Sequence, residues 1–263
     1  MAKKLVFETV SLGSEPQVPD AGTLAEWVGS QRGKKGDITS YYLENGLKPQ
    51  RDAGVIHHCA GGICYGDRVR ESLLGVSEGE ITGELGILPD YFMDDCVRIR
   101  EISGTCRVAL PAPHQISLAD RYYHDQEELS AALISQYRRI FRTMRDCGIS
   151  GNVLHCTQAI PEELESLAGK HVFFYMESPG VESMGTILEY QHALALKPGD
   201  IPKLSEVREE YTIDRVIILD PVARDLRGLL NSFDSDRVQV GGYWTTGDGE
   251  YWESLVESAT LPL

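Results

Sequence analysis

The sequence predicts an α/β fold, a (β/α)8 TIM barrel with a long insertion between strands 2 and 3. Three observations predict it. The length of 263 residues suits a single barrel, which runs to about 250 residues. Hydrophobic residues make up 42% and charged residues 25% of the chain, the balance of a globular domain and not of a disordered one. One grammar also recurs along the chain: a short apolar run, a turn carrying Pro or Gly, then an amphipathic stretch, as βα units around a parallel sheet require. An open doubly wound sheet is the alternative. Its dinucleotide-binding version loses support because no GxGxxG follows the first strand.

The eight apolar runs are residues 5–10, 54–58, 107–110, 152–156, 171–176, 193–197, 215–219 and 237–243. Helix signals fill the gaps. Asp125 and Glu128 stand at capping-box spacing. Leu129, Leu133, Ile140, Phe141 and Met144 then share one helical face, with Gly148 as the stop. Asp220 can cap a helix whose first position is Pro221. PEELESLAG begins with Pro and ends with Gly, and VESMGTILEYQHA and DGEYWESLVESA complete the later helices. The gap from 59 to 106 is much longer than the others and carries acidic and Gly-rich stretches (SEGEITGELG, YFMDD). It reads as a lid or small subdomain inside one domain spanning 1–263.

Forty acidic against 25 basic residues give a net charge of -15. Nucleic-acid affinity comes from neutralising phosphates with Lys and Arg, so the charge argues against that partner, and equally against an anionic membrane surface. No apolar run reaches 18 residues. The segment MAKKLVFETVSLGSE lacks the apolar stretch and small-residue cleavage site of a signal peptide. The expectation is a cytoplasmic protein with six mostly reduced cysteines, a small-molecule substrate, and no nucleic acid or membrane partner. There is no GxSxG elbow, no GxxxxGK[ST] loop and no HExxH.

In a barrel, chemistry belongs at the C-terminal strand ends. The polar residues expected there are Glu8, His57, His58, Cys59, His114, His155, Cys156, Gln158, Glu177, Lys197, Asp220 and Trp244. A soft divalent ion takes imidazole, thiolate and carboxylate. His155, Cys156 and Glu177 are therefore the candidate metal ligands, with zinc the expected ion. Adjacent strand residues point to opposite faces, so His155 and Cys156 meet at the mouth only if one lies past the strand end. Otherwise the mouth is merely polar and the cysteines are small core residues. His57, His114, Glu177 and Asp220 are candidate acids and bases, although helix capping alone would account for Asp220. Lys197, before Pro198, would hold a phosphate or carboxylate, or be solvated. Gly61 and Gly62 would let backbone N–H groups approach an anion, or simply make a turn. The Cys59-x4-Cys64 spacing does not by itself make an iron–sulfur site.

Four segments keep a familiar order: TVSLGSEPQVPD at the first strand and turn, GKKGDITSYYLENGLKPQRDAG before the second strand, VALPAPHQIS, and the long helix ending in DCGIS. In this order the chain resembles the catalytic barrel of cobalamin-independent methionine synthase and the related uroporphyrinogen-decarboxylase-like methyltransferases. The resemblance implies a TIM barrel, methyl transfer to a zinc-activated thiol, and Gly13 and Ser14 in a turn that contacts the thiol amino acid. The family's zinc set is His-x-Cys, a later Glu and a distant Cys. Here His155 and Cys156 are adjacent, Glu177 stands at a fitting distance, and no cysteine follows Cys156. Where the family has an acid after the second strand, this chain has Ala60, Gly61 and Gly62. The expected function is a methyltransferase-like enzyme. The alternatives are a metal-independent lyase or decarboxylase in the same barrel, or a non-catalytic binding or assembly protein that kept the fold and serves a protein partner.

Overall fold

The structure is a computed structural model that describes residues 4–245 and 250–262. Its central elements are eight parallel strands: β1 (Thr9–Ser14), β2 (His58–Gly61), β3 (Cys106–Pro111), β4 (Gly151–His155), β5 (Val172–Tyr175), β6 (Ala193–Leu196), β7 (Arg215–Leu219) and β8 (Val238–Trp244). They pair in two four-stranded sheets, β6-β7-β8-β1 and β2-β3-β4-β5. A parallel bridge between Val10 and His57 joins the two sheets. Ser11 N–H donates to the His57 carbonyl and His57 N–H to that of Thr9, both at 2.9 Å.

The strand order follows the chain cyclically and never reverses, so the doubly wound alternative, which needs a switch point, does not apply. One interior cluster draws on every strand: Val10, Leu12, Cys59, Ala109, Val153, Tyr175, Ala195, Ile217 and Leu219, with Tyr243 packed against them. These are alternate residues of each strand, as a curled parallel sheet dictates. The architecture is thus barrel-like. The expectation of a closed ring needs correction, because among the described residues no ladder pairs β5 with β6. At this seam the side chain of Gln191 substitutes for a ladder. Its Oε1 accepts from Phe174 N–H at 2.8 Å, and its Nε2 donates to the carbonyls of Phe174 at 3.0 Å and Ala193 at 2.8 Å.

The outward residues of the strands, such as Val108, Leu110, Leu154, Phe174, Val216, Ile218 and Val240, form the larger core under the helices. These are α1 (Ala21–Ser30), α2 (Ile38–Ala53), α3 (Gly66–Ser72), α4 (Asp90–Ile102), α5 (Gln126–Asp146), α6 (Pro161–Leu167), α7 (Val181–Leu188), α8 (Leu204–Val207), α9 (Ala223–Leu230) and α10 (Tyr251–Ser258). α5 starts where its cap predicts: Asp125 accepts from the N–H groups of Glu127 and Glu128. Gly148 follows its end at φ +92°. Of the segment DGEYWESLVESA, Asp248 and Gly249 lie outside the described residues.

Three boundaries differ from the sequence reading. Residues 4–6 form a separate short strand, antiparallel to Thr260–Pro262, and the first barrel strand is the wholly buried TVSLGS that follows. The second strand begins at His58, where the apolar run was expected to end. The segment between β2 and β3 is therefore shorter than 59–106, since Cys59–Gly61 and Cys106 belong to strands. It holds α3, an antiparallel hairpin (Leu73–Ser77 with Glu80–Ile87) and α4. The hairpin packs Leu73, Ile81 and Leu85 on Leu129 and Leu133 of α5. Behind β2, the buried Arg68 ties α2, α3 and α4 together. It bonds Asp95 at 2.8 Å, and Asp37 and Glu71 at 2.9 Å, while Tyr65 Oη donates to Asp95 at 2.8 Å.

Candidate functional site

At the C-terminal ends of the strands, alternation decides which side chains face the mouth. His155, the last residue of β4, faces inward. Its ring lies 5.0 Å from that of Tyr175 and 4.4 Å from that of Tyr243. Its Nε2 is 2.8 Å from the Leu12 carbonyl. A carbonyl only accepts, so Nε2 carries the proton and Nδ1 is left as the acceptor. Burial lowers the pKa to about 4, so the imidazole is neutral at physiological pH.

Cys156 faces the other way, into the core beneath the helices. Its Sγ is 3.3 Å from the Tyr175 carbonyl, and burial pushes the thiol up to about 12. Glu177 is exposed and paired with Lys197 at 2.6 Å. The expected ligands His155, Cys156 and Glu177 therefore do not converge. Among the described residues no three His, Cys, Asp or Glu side chains gather as a metal site. The zinc set expected from the sequence does not fit: one donor is a protonated thiol on the wrong face, and another is engaged by a lysine. Lys197 is likewise committed to Glu177.

The β2 histidines lie at the opposite, N-terminal end, because their strand starts at His58. His57 Nε2 is 3.1 Å from Glu8 Oε2, which also accepts from Gln239 at 2.7 Å. These two hydrogen bonds, His57's first, lower the Glu8 pKa. His58 Nδ1 bonds Ser103 Oγ at 2.7 Å, and burial lowers its pKa. His57 is therefore not a mouth residue.

His114 is at the C-terminal rim, in the turn after β3. Its N–H and Nδ1 meet the two oxygens of buried Glu163 at 2.8 and 2.9 Å. Its Nε2 accepts from Thr157 N–H at 3.3 Å and lies 3.1 Å from Thr157 Oγ1. Nδ1 is thus the protonated nitrogen.

Asp220 follows β7 at φ +48°, a left-handed backbone that is costly for most residues and tolerable for Asp. It does not cap α9, as the sequence suggested: Val222 takes the cap position, and Asp225 accepts its N–H at 3.0 Å. Instead Asp220 opens to the mouth. Tyr251 Oη of α10 donates to its Oδ1 at 2.6 Å. Desolvation by the surrounding walls raises its carboxyl above the usual range, against opposing effects of Tyr251 and Lys197. Across the mouth Tyr243 Oη donates to Glu15 Oε1 at 2.7 Å, and Glu15 also accepts from Cys64 N–H at 3.0 Å.

Gly13 and Ser14 separate in role. Gly13 has φ +114°, and a Cβ there would lie 2.6 Å from the Gly61 carbonyl oxygen, so only glycine fits where β1 approaches β2. Ser14 Oγ is buried without a partner, and a Cβ on Gly46 of α2 would collide with it. It faces the helix and not the mouth.

Sequence reasoning missed Glu15, Glu163, Tyr175, Tyr243 and Tyr251. Tyr175 and Tyr243 were findable, since each follows the inward parity of a predicted strand. Glu15 surfaces only once the first strand is moved four residues on, and Tyr251 reaches the mouth from a helix.

No protein-family model and no curated protein sequence matches the chain. Solved structures do. A B12-independent methionine synthase from Shewanella sp. W3-18-1 in complex with selenomethionine superposes with a TM-score of 0.57 at 13% identity, covering 97% of this chain and 96% of that one. A protein from Listeria monocytogenes assigned as a vitamin-B12-independent methionine synthase gives 0.61 at 12% identity, over 94% and 93%. A methyltransferase from Methanosarcina mazei gives 0.57 at 8% identity, over 97% and 93%. At such identities the likeness is one of fold. No helix of the described residues is long and apolar enough to cross a membrane.

Proposed function

We propose that the chain is a small-molecule enzyme of the methyltransferase-like barrel type. It works at the C-terminal mouth by proton transfer to Asp220, on a substrate that carries an amino group beside its reacting atom. The observation that carries this reading is Asp220 itself: a carboxyl in a left-handed backbone, freed from helix capping, held by Tyr251 at 2.6 Å and raised in pKa by its surroundings. A solvent-reachable carboxylate at the strand ends whose pKa is raised is a group suited to act as a general base. Glu15 and Asp220 give the mouth a negative character, while Glu177 and Lys197 neutralise each other. A substrate ammonium fits there better than a carboxylate.

Methyl transfer is favoured over a lyase reaction for two reasons. Three solved neighbours that cover 93% or more of both chains are described as methionine synthases or a methyltransferase, one of them in complex with selenomethionine. A lyase or decarboxylase acting on a carboxylate-only substrate would also need a free cation, whereas an amino acid brings an ammonium that offsets its own carboxylate. In the proposed reaction a thiol or amine attacks the methyl group of a cationic donor of the sulfonium or quaternary-ammonium class: the new S–C or N–C bond forms as the donor's own bond to the methyl breaks, the electron pair leaves on a neutral thioether or tertiary amine, the nucleophile's proton passes to Asp220, and neutral His155 accepts a hydrogen bond through Nδ1. No step requires His155, Cys156 and Glu177 to share a metal.

Thermal-shift titration with homocysteine, methionine and succinate, repeated with EDTA and with Asp220→Asn, tests the reading. The expected result is a shift with the two amino acids but not with succinate, unchanged by EDTA and reduced in the variant. Binding that needs added zinc overturns it, as does a shift with succinate alone. So does indifference to all three probes, which favours the non-catalytic alternative.

A further inference from the structure

We infer that the N-terminal end of the barrel, opposite the mouth, holds a second binding site, for an organic phosphate that spans the open seam between β5 and β6. A cavity of about 470 Å³ lies there, lined among others by Arg107, Lys170, Phe173, Tyr190, His192 and Arg215. That volume is in the range of small-molecule sites.

The cations are placed by strand parity. Arg107 is two residues before the interior residue Ala109 on β3, and Arg215 two before Ile217 on β7. Both therefore start from the inward face, at the floor of the barrel. Between them the inward positions are Gly151 on β4, where a Cβ would lie 2.7 Å from the His171 carbonyl oxygen, Phe173 on β5 and Ala193 on β6.

Arg107, Lys170 and Arg215 enter none of the ion pairs or side-chain hydrogen bonds formed among the described residues. The opposing charges are two. Asp214 stands 4.0 Å from Arg237, and Glu8, close enough to Arg215 to feel its charge, is bonded to His57 and Gln239. His171 donates Nδ1–H to the Ser150 carbonyl at 3.1 Å and keeps Nε2 for a ligand. In a chain of net charge -15, three cations left uncommitted among the described residues line one cavity and face an anion there. Guanidinium forks and an ammonium suit phosphate oxygens, and Phe173 and Tyr190 offer a surface for the organic part.

The site also has a mechanical meaning. Arg107, Lys170 and Phe173 belong to the β2–β5 half, whereas His192, Arg215 and Gln239 belong to the β6–β1 half. A ligand held by both halves stitches the junction that no backbone ladder closes.

The test is calorimetric titration of the full chain with phenyl phosphate, inorganic phosphate and phthalate at fixed ionic strength, using wild type, Arg107→Ala, Arg215→Ala and the milder Arg107→Lys. Deuterium exchange is followed at β5 and β6. The expected result is saturable binding with phenyl phosphate tightest, weakened about tenfold by each alanine variant, as loss of a charge-assisted hydrogen bond implies. Exchange at both strands slows on binding. Should phenyl phosphate not saturate, should either arginine prove dispensable, or should phthalate bind as tightly, the inference fails. It also fails if exchange slows on one side of the seam only. Arg215→Ala, at an exposed strand end, keeps the test open if the Arg107 variants do not fold.

Discussion

Asp220 sets function against stability at one residue. Its raised carboxyl pKa means that the folded state holds a proton more tightly than the unfolded chain. Stability therefore falls as pH rises through that window and stays lowered at neutral pH. Asp220→Asn keeps a residue that accepts φ +48° and removes the charge. It is expected to raise Tm at pH 7 while weakening the amino-acid probes, and a lowered Tm contradicts the assignment. His155 works in the acid direction. Its pKa is lowered to about 4, so from about pH 6.5 down to pH 4 the unfolded chain takes up a proton that the folded chain refuses. Stability drops across that interval, by up to about 1.4 kcal/mol per pH unit for one such group. His58, lowered by burial as well, adds to the slope. Urea midpoints of His155→Gln between pH 7 and 5 should fall less than those of wild type. At this scale the sequence was only half legible. It marked Asp220, His114 and His155 as strand-end groups, yet it could not say which way His155 and Cys156 turn. That depends on where β4 stops, and one residue of register exchanges the mouth for the core.

Among the elements, the strands β3 to β8 were readable as apolar runs because each is buried on both faces. The first two were not. LVFETVSLGS is apolar across two strands with a break at Phe7 and Glu8, and VIHHCAGG hides its real strand, HCAG, behind the bulkier Val55 and Ile56. His57 was assigned to the wrong end of the barrel for that reason. The seam residue Gln191 carried no sequence signal, since its job is defined only by two strands failing to meet. Gln191→Ala leaves Phe174 N–H and C=O unpaired in a buried place and is expected to cost about 2–3 kcal/mol in urea unfolding. In the network behind β2, Asp95→Ala leaves the guanidinium of Arg68 buried and short of a partner. It should cost about 3–5 kcal/mol, more than the double variant in which Arg68→Met accompanies it. If the double variant is the weaker of the two, the guanidinium is not the source of the cost.

The molecule as a whole was the most legible level. Length, βα grammar and the ordered motifs predicted the barrel-like architecture that the solved neighbours share. The open junction was beyond any sequence pattern. A net charge of -15 makes self-repulsion a general term in stability. Raising NaCl from 0.05 to 0.5 M screens it, the Debye length shrinking below about 10 Å, and Tm should rise in proportion for wild type and for the floor variants alike.

The pairing of β8 with β1, which places Thr9 beside Val240, has a consequence for biosynthesis. A nascent chain can assemble the β2–β5 half as soon as α6 and β5 have emerged. The other half lacks its first member's partner until residues 238–244 leave the ribosome. Throughout that interval TVSLGS, a strand buried in the folded protein, has a bare edge open to pairing with a neighbouring chain. Translation that stops short of residue 238 therefore yields a product with a folded flank and a sticky one, which makes truncated forms of this protein candidates for chaperone capture ahead of simple degradation.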